Sequence, residues 1–362
     1  MIALDPFLIQ PIFRNRVWGG DRLGPWLAPT SESNNKYQHS RARGSVGEAW
    51  LLADLPSSIL DGRTLISSGD DAGQTLHDLL QNPVKRRALM GRAISQNETN
   101  EAGFPLLVKI LDAAQNLSVQ VHPDLEYSVR HPHSHMKSEM WFVLDADPGA
   151  LIYRGIHPQI TRAQCERHIH NDTLLEILIT HPARRGDCFW LPSGICHALG
   201  AGVLVAEVQT PSDTTFRMWD WGRNDPARPL DISAAMECLL LGAEQDLANL
   251  DRPRSRNLVR TDSIEIEGLV RTDWFDVERW SVQPKTPLHH DGIGVPVIWT
   301  LLSGEFSCES SPHPLSRGAT LVLPADHSGL EGRTGAEGAE ILVMTLPDPL
   351  KMSREFGGVR IT

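Results

Sequence analysis

Cysteine is scarce in this chain of 362 residues: Cys165, Cys188, Cys196, Cys238 and Cys308 are widely spaced and never form Cys-x-x-Cys. That fits reduced, buried thiols better than a disulfide framework or a thiolate zinc site. No stretch approaches the roughly 18 uninterrupted apolar residues of a spanning helix. The opening Met1–Phe13 segment has no basic stretch followed by an apolar one. The expectation is a cytoplasmic protein with no membrane partner. Long basic runs are absent and the formal charge is −11, which argues against a nucleic-acid groove. A phosphorylated ligand would need a local exception to that acidic balance. No short-period repeat is visible.

Proline and glycine are plentiful, 25 and 29 residues spread along the chain, and they separate short apolar or alternating runs. Leu106–Leu111, Leu117–His122, Met140–Leu144, Cys188–Leu191, Val203–Val208, Phe275–Val282, Val297–Leu302 and Ile341–Leu346 read as strands. Two segments have helical character. Leu76–Ile94 opens on a Thr75-x-x-Asp78 cap and is interrupted by Pro83; Ser233–Leu250 has Ser233 as its opening residue. Asp251–Asp262 reads as a linker, Ser328–Glu340 with its four glycines as a mobile loop, and Thr30–Gly44 as a surface loop or lid. At this length, two cores are expected.

Chemistry concentrates in three places. In Leu117–Pro123, period-two alternation puts Gln120 and His122 on one strand face, and Pro123 ends the pairing so that His122 sits at the strand's end. Glu139 heads the otherwise apolar run to Leu144, where an unpartnered carboxylate would be costly and a cation would relieve it. Gly186-Asp187 through Pro192-x-Gly194-x-x-His197 resembles the second cupin motif and delivers a histidine to the start of a strand. Two imidazoles, a carboxylate and an amide make a mixed nitrogen and oxygen site suited to catalytic zinc, one ion per chain. The nearby His131–His135 tract is broken by Pro132 and Ser134 and reads as a solvated loop rather than a second metal site.

At these residues the chain resembles type I mannose-6-phosphate isomerases, particularly their shorter bacterial form. The shared stretches are Asn15–Gly20, Gly47–Trp50, Phe104–Lys109, Leu117–Asp124, Lys137-x-Glu139-x-Trp141, Pro192-x-Gly194-x-x-His197-Ala198, Glu207–Gln209 and Ser212–Arg217. The likeness covers roughly residues 5 to 225. It implies a mainly β fold of two cupin-type β-barrels (jelly rolls), the second degenerate. The catalytic barrel would occupy 1–225 with a helical insertion around 70–97, a helical segment and linker 226–260, and the degenerate barrel 261–362. His289, His290 and His327 in that last part lack the ligand pattern of the first barrel.

The same resemblance implies zinc at Gln120, His122, Glu139 and His197, with Lys109, Lys137, Glu207 and Arg217 lining a sugar-phosphate pocket walled by Trp18. The sequence departs from the longer enzymes at Met136-Lys137-Ser138-Glu139, where they have a histidine before the lysine. The implied reaction interconverts mannose 6-phosphate and fructose 6-phosphate through an enediol. Arg217 is the expected cation beside the developing charge, Glu207 the expected general base or a partner of Arg217, and Lys109 or Lys137 the phosphate contact. The competing functions are a non-catalytic sugar-phosphate-binding cupin and a metal-dependent oxygenase. A monomer or homodimer is expected.

Overall fold

Strand Val203–Gln209 is buried along its whole length, and its alternation sorts the fold into layers. Leu204, Ala206 and Val208 join a large apolar core with Ile110, Phe142, Phe275 and Met344. Val205, one residue out of phase, joins a separate cluster with Leu111, Trp141, Ile152 and Leu199. A side-chain period of two thus gives one strand two buried faces with different neighbours. In a computed structural model, residues 4–27, 45–93, 103–223, 225–226, 228–245, 256–349 and 359–360 are described. The expected loop or lid at Thr30–Gly44 lies outside them.

The chain is mainly β, as the sequence indicates. A six-stranded antiparallel sheet runs Cys188–Leu191, Glu139–Ala146, Val203–Gln209, Leu107–Ala113, Ile12–Gly20 and Val46–Leu52. A five-stranded sheet runs Phe216–Trp219, Val119–Val121, His197–Leu199, Leu151–Ile156 and Leu178–Pro182. The remaining ten strands form one sheet, which supplies a second core of Ile266, Trp280, Trp299, Leu321 and Ile341. The layers are open sheets rather than closed barrels.

Strand Phe7–Gln10 pairs with Thr320–Leu323, and Leu65–Ile66 pairs with Phe7–Gln10, so two N-terminal strands belong to the C-terminal sheet. A boundary drawn only by sequence position misses this crossing.

Helix Leu76–Gln81 begins on the expected capping box of Thr75 and Asp78. Pro83 then occupies the first position of a second helix, Pro83–Met90, capped by Asn82. Proline lacks the amide hydrogen that a first turn leaves unpaired anyway, so it starts a helix here. The second expected helical segment is interrupted among the described residues, with 243–245 helical again after the break. Helix Ile232–Cys238 starts before Ser233 and ends where Leu239 turns extended, while 246–255 lie outside the described residues. Of the expected linker, 256–260 is a strand paired with Ile264–Arg271.

The larger correction concerns Ser328–Glu340. Its residues from Leu330 onward belong to strand Leu330–Thr345, which pairs with Val297–Cys308. The glycines serve close packing: a Cβ on Gly332 would fall 2.2 Å from the Phe306 ring. A glycine-rich strand looks like a loop in sequence because the packing that needs the glycines is non-local.

Candidate active site

The site lies between the five- and six-stranded sheets. Gln120 and His197 are directly opposite each other in antiparallel register, and Arg217 is opposite Gln120 on the other side. Glu139 opens its strand in the facing sheet. The turn before His197 is built around Gly194, whose φ of +83° is the left-handed region. Its amide donates to the His122 carbonyl at 2.9 Å. Ser193 Oγ donates to the Lys137 carbonyl at 2.8 Å. The three motifs recognised separately in sequence are thereby tied together.

His122, Glu139 and His197 are fully buried. Glu139 Oε2 lies 3.4 Å from His122 Nε2 and Glu139 Oε1 lies 3.1 Å from His197 Nε2. In each imidazole Nδ1 faces a backbone carbonyl, Thr214 at 3.2 Å and Ile195 at 2.8 Å, so Nδ1 carries the proton and Nε2 presents its lone pair inward. Gln120 Nε2 lies 3.4 Å from His197 Nε2. Oxygen and nitrogen of an amide are assigned from surroundings, and turning the amide aims the oxygen at the same point.

These residues fit a metal. Zinc bonds of about 2.0–2.1 Å in a tetrahedron require donor atoms roughly 3.3 Å apart, close to both nitrogen–oxygen separations. His122 Nε2 and both Glu139 oxygens are buried without a hydrogen bond, although Lys137 Nζ approaches Oε2 to 2.8 Å as an ion pair. Buried polar atoms are ordinarily satisfied; a cation would satisfy all three. Burial, reinforced by the Lys137 ammonium, pushes the His122 imidazolium pKa down to about 3, which keeps it neutral for ligation. Burial alone would raise the Glu139 carboxyl, but Lys137 and His122 hold it well below its usual range. No other group of three or more histidine, cysteine or carboxylate donors gathers this closely among the described residues.

Beside these candidate donors is a cavity of about 320 Å³ lined by all the predicted pocket residues, Trp18, Lys109, Lys137, Glu207 and Arg217, and also by Gln120. This volume is at the small end for ligand sites and suits one compact polar molecule.

Glu207 differs from expectation. Its Oε1 accepts from Lys109 Nζ at 2.9 Å and its Oε2 from Trp141 Nε1 at 2.8 Å. It is therefore paired with Lys109 and Trp141 and, among the described residues, makes no hydrogen bond or ion pair with Arg217. Lys109 also donates to Gln209 Oε1 at 2.7 Å. Arg217 instead donates to the Pro229 carbonyl at 2.7 Å, and its Nη1 is buried without a hydrogen bond.

Sequence reading assigned no role to Arg16, Glu48, Trp50, Asp213 or Arg228, all of which line the cavity. Glu48 accepts a bidentate pair from Arg16 at 2.9 and 3.0 Å and a bond from Trp50 Nε1 at 2.7 Å. Burial would raise its pKa, but Lys109 and Arg16 bring it down to about 2. The available signal was a carboxylate inside the apolar run 46–52, which requires a buried partner. Asp213 is exposed at the cavity wall and has no protein hydrogen bond among the described residues.

The His131–His135 tract is a loop, as expected. His131 stacks on Tyr127 with ring centres 4.0 Å apart. The His135 amide donates to Thr214 Oγ1 and its carbonyl accepts from Ser212 Oγ. The loop thus braces the turn whose Thr214 carbonyl orients His122.

The profile of the phosphomannose isomerase type I catalytic domain matches residues 7–150. A Bacillus subtilis protein named "Probable mannose-6-phosphate isomerase GmuF" is 30% identical over 281 residues, 76% of this chain and 80% of that protein. The chain belongs to the type I mannose-6-phosphate isomerase family. A family member from Streptococcus mutans, mannose-6-phosphate isomerase, is 28% identical across 88% of this chain and 92% of its own length. The crystal structure of the Bacillus subtilis mannose 6-phosphate isomerase shares the fold at a TM-score of 0.76 and 24% identity. It covers 94% of this chain and 99% of that one. Membership of this isomerase family makes the chain an enzyme of the aldose–ketose isomerase class. No helix among the described residues is long and apolar enough to cross a membrane.

Proposed function

We propose that the protein interconverts mannose 6-phosphate and fructose 6-phosphate by moving a proton between C1 and C2 through an enediol, with one zinc ion held by Gln120, His122, Glu139 and His197. The observation that carries this reading is the buried trio of unsatisfied donor atoms opening beside a cation-lined cavity. Zinc bound there would supply Lewis acidity to the adjacent oxygens of the sugar.

The chain's own residues then divide the remaining work. Arg217 is the cation for the developing enediolate: it is opposite Gln120 in register, and its buried Nη1 is a donor without an acceptor. Glu48 and Glu207 are both committed to cations and indole N–H groups. Asp213 is the cavity carboxylate free to take the proton. Lys137 and Lys109 are held by Glu139 and Glu207, so they fix the field of the cavity. Trp18 closes one wall.

In this reading residues 1–225 carry the reaction, 226–260 connect, and 261–362 form a metal-free support that includes the Phe7–Gln10 strand. Phosphorylated sugars do not cross membranes freely, so the proposed setting is the cytoplasm, as a monomer or homodimer. An Arg217 Nη1 without a hydrogen-bond acceptor, in a cavity also lined by an unengaged Asp213, favours catalysis over passive sugar-phosphate binding.

Metal content by elemental analysis, coupled to isomerisation of mannose 6-phosphate before and after chelation, tests the proposal. Turnover that is lost on chelation and restored by zinc is expected. Absence of turnover by folded, zinc-loaded protein would sink the assignment. Asp213→Asn should keep zinc and lose kcat by at least about a hundredfold.

A further inference from the structure

Among the described residues, five cations and three carboxylates line the cavity: Arg16, Lys109, Lys137, Arg217 and Arg228 against Glu48, Glu207 and Asp213. On a chain with a formal charge of −11 this is the required local exception. The cations are not equivalent. Lys137 pairs with Glu139, Lys109 with Glu207 and Arg16 with Glu48. Arg217 is fastened to the Pro229 carbonyl and has Asp220 at 4.0 Å. The Arg228 side chain alone has neither a hydrogen bond nor an ion pair among the described residues.

Arg228 is also crowded by its own kind. Partial burial comes first, and the guanidinium of Arg217 next, in depressing its basicity; Arg223 and Arg16 act in the same direction, with only Asp220 opposing. Asp220 is itself engaged by Arg223 at 2.7 Å. Gathering guanidiniums in a partly desolvated cleft is unfavourable until an anion enters.

The segment bearing Arg228 is nevertheless well placed. Arg217 holds it twice: its side chain takes the Pro229 carbonyl, and its own carbonyl accepts from the Asp231 amide at 2.9 Å. Arg217 is in turn fixed opposite Gln120. Arg228 is thus linked to the metal-ligand strand through one intervening residue while remaining unpaired. Arg16, which also lines the cavity and is close enough to depress the basicity of Arg228, spends Nε and Nη2 on Glu48 and keeps Nη1.

We propose that Arg228, with Arg16 Nη1 beside it, recognises the phosphate group of the substrate and sets the preference for phosphorylated over free sugars. The identity of that anion rests on the isomerase reading above. The placement divides labour between neighbours: Arg217 faces the reacting carbons next to Gln120, and Arg228 grips the inert end of the molecule. A guanidinium presents a planar fork that matches phosphate oxygens in a bidentate manner, which a lysine cannot reproduce.

The test uses full-length, zinc-loaded Arg228→Gln and Arg228→Lys proteins. Glutamine should raise KM for mannose 6-phosphate about 10- to 100-fold, with kcat within about threefold and zinc content unchanged; lysine should recover part of the loss. Inorganic phosphate, titrated calorimetrically, should bind the unaltered protein and bind Arg228→Gln at least about tenfold more weakly. Unchanged KM and unchanged phosphate affinity in Arg228→Gln would overturn the proposal. So would a fall in kcat at constant KM, which would put Arg228 in the chemistry. If the unaltered, zinc-loaded protein turns over no sugar phosphate, the isomerase reading fails separately. Weaker phosphate binding by Arg228→Gln would still establish the anion site.

Discussion

Glu139 Oε1 and His197 Nε2 lie 3.1 Å apart although the carboxylate opens a strand of one sheet and the imidazole opens a strand of the facing sheet. Neither carboxylate oxygen of Glu139 is hydrogen-bonded, and Lys137 Nζ lies 2.8 Å from the other one. Two separate layers thus contribute the polar groups of this buried cluster. A cation held there would couple stability to metal binding.

His122→Ala and Glu139→Ala should both abolish stoichiometric zinc, and Arg217→Ala should keep zinc and lose turnover. Elemental analysis after dialysis, run beside kcat measurements, checks this. Equal metal loss in all three would contradict the assigned roles. Glu139→Ala also strips Lys137 of its carboxylate in a dry setting, and a buried charge left unpaired costs about 3–5 kcal/mol. Its melting temperature should therefore fall below that of His122→Ala, which scanning calorimetry of the two metal-free proteins would show.

Glu48 has a different function from Glu139: it neutralises Arg16 and Lys109 within the wall of the cavity. Its folded pKa near 2 lies below the ordinary 4.5. Its contribution to stability is therefore complete above about pH 4.5 and is lost as pH falls toward 2. Glu48→Gln should be less stable at pH 7 by about 2–4 kcal/mol. It should also lose less stability than the unaltered protein between pH 4.5 and 3. Urea unfolding at a series of pH values measures both quantities.

Much of the candidate site could be read from sequence because its donor residues announce themselves locally. Gln120 and His122 are two residues apart on one strand face, Glu139 interrupts an apolar run, and His197 follows a Pro-x-Gly turn. What could not be read was pairing between distant strands. Glu207 was expected as a general base or as a partner of Arg217, ten residues away, and the antiparallel register that sets it opposite Lys109 was not visible in sequence. Arg228 lies beyond the strands that carry the motifs and reaches the cavity only because Arg217 ties down the segment at 229 and 231. In the fold, strand-rich character was legible and the partition was not. Phe7–Gln10 looks like the start of the first layer until Thr320–Leu323 claims it.

Gly194 offers a test of how tightly the turn before His197 is set. Its φ of +83° disfavours any L side chain, and a Cβ there would fall 2.6 Å from Leu240 Cγ and 2.9 Å from the Cys238 carbonyl. Gly194→Ala should cost about 1–3 kcal/mol from backbone strain and displaced neighbours. Because the Gly194 amide also holds the His122 carbonyl, zinc affinity should drop with stability. A competition titration against a chelator reads the first effect and thermal unfolding the second. An alanine variant as stable and as tightly metallated as the parent would show that the turn is not a constraint on the site.

The C-terminal sheet buries a histidine pair that the proposed chemistry does not use, and in zinc-loaded protein, where His122 would be held by the metal, this pair should contribute to mild acid sensitivity. Gly329 N–H donates to His327 Nδ1, so His327 Nε2 carries a proton and donates it to His290 Nδ1 at 3.2 Å, with Trp299 edge-on to the His290 ring. Burial, and then the neighbouring His327, lowers the His290 pKa to about 3, and burial lowers that of His327 as well. Both folded values lie below the ordinary 6.5, so the unfolded chain takes up protons first as pH drops. The stabilisation they provide is whole above about pH 6.5 and is lost progressively toward pH 3. One and a half pH units below 6.5, His290 alone should account for about 2 kcal/mol of lost stability. This window is higher than that of Glu48, so unfolding measured between pH 7.5 and 5 separates the two. His290→Gln should flatten the dependence over that range, and a slope unchanged by the substitution would assign the acid sensitivity elsewhere.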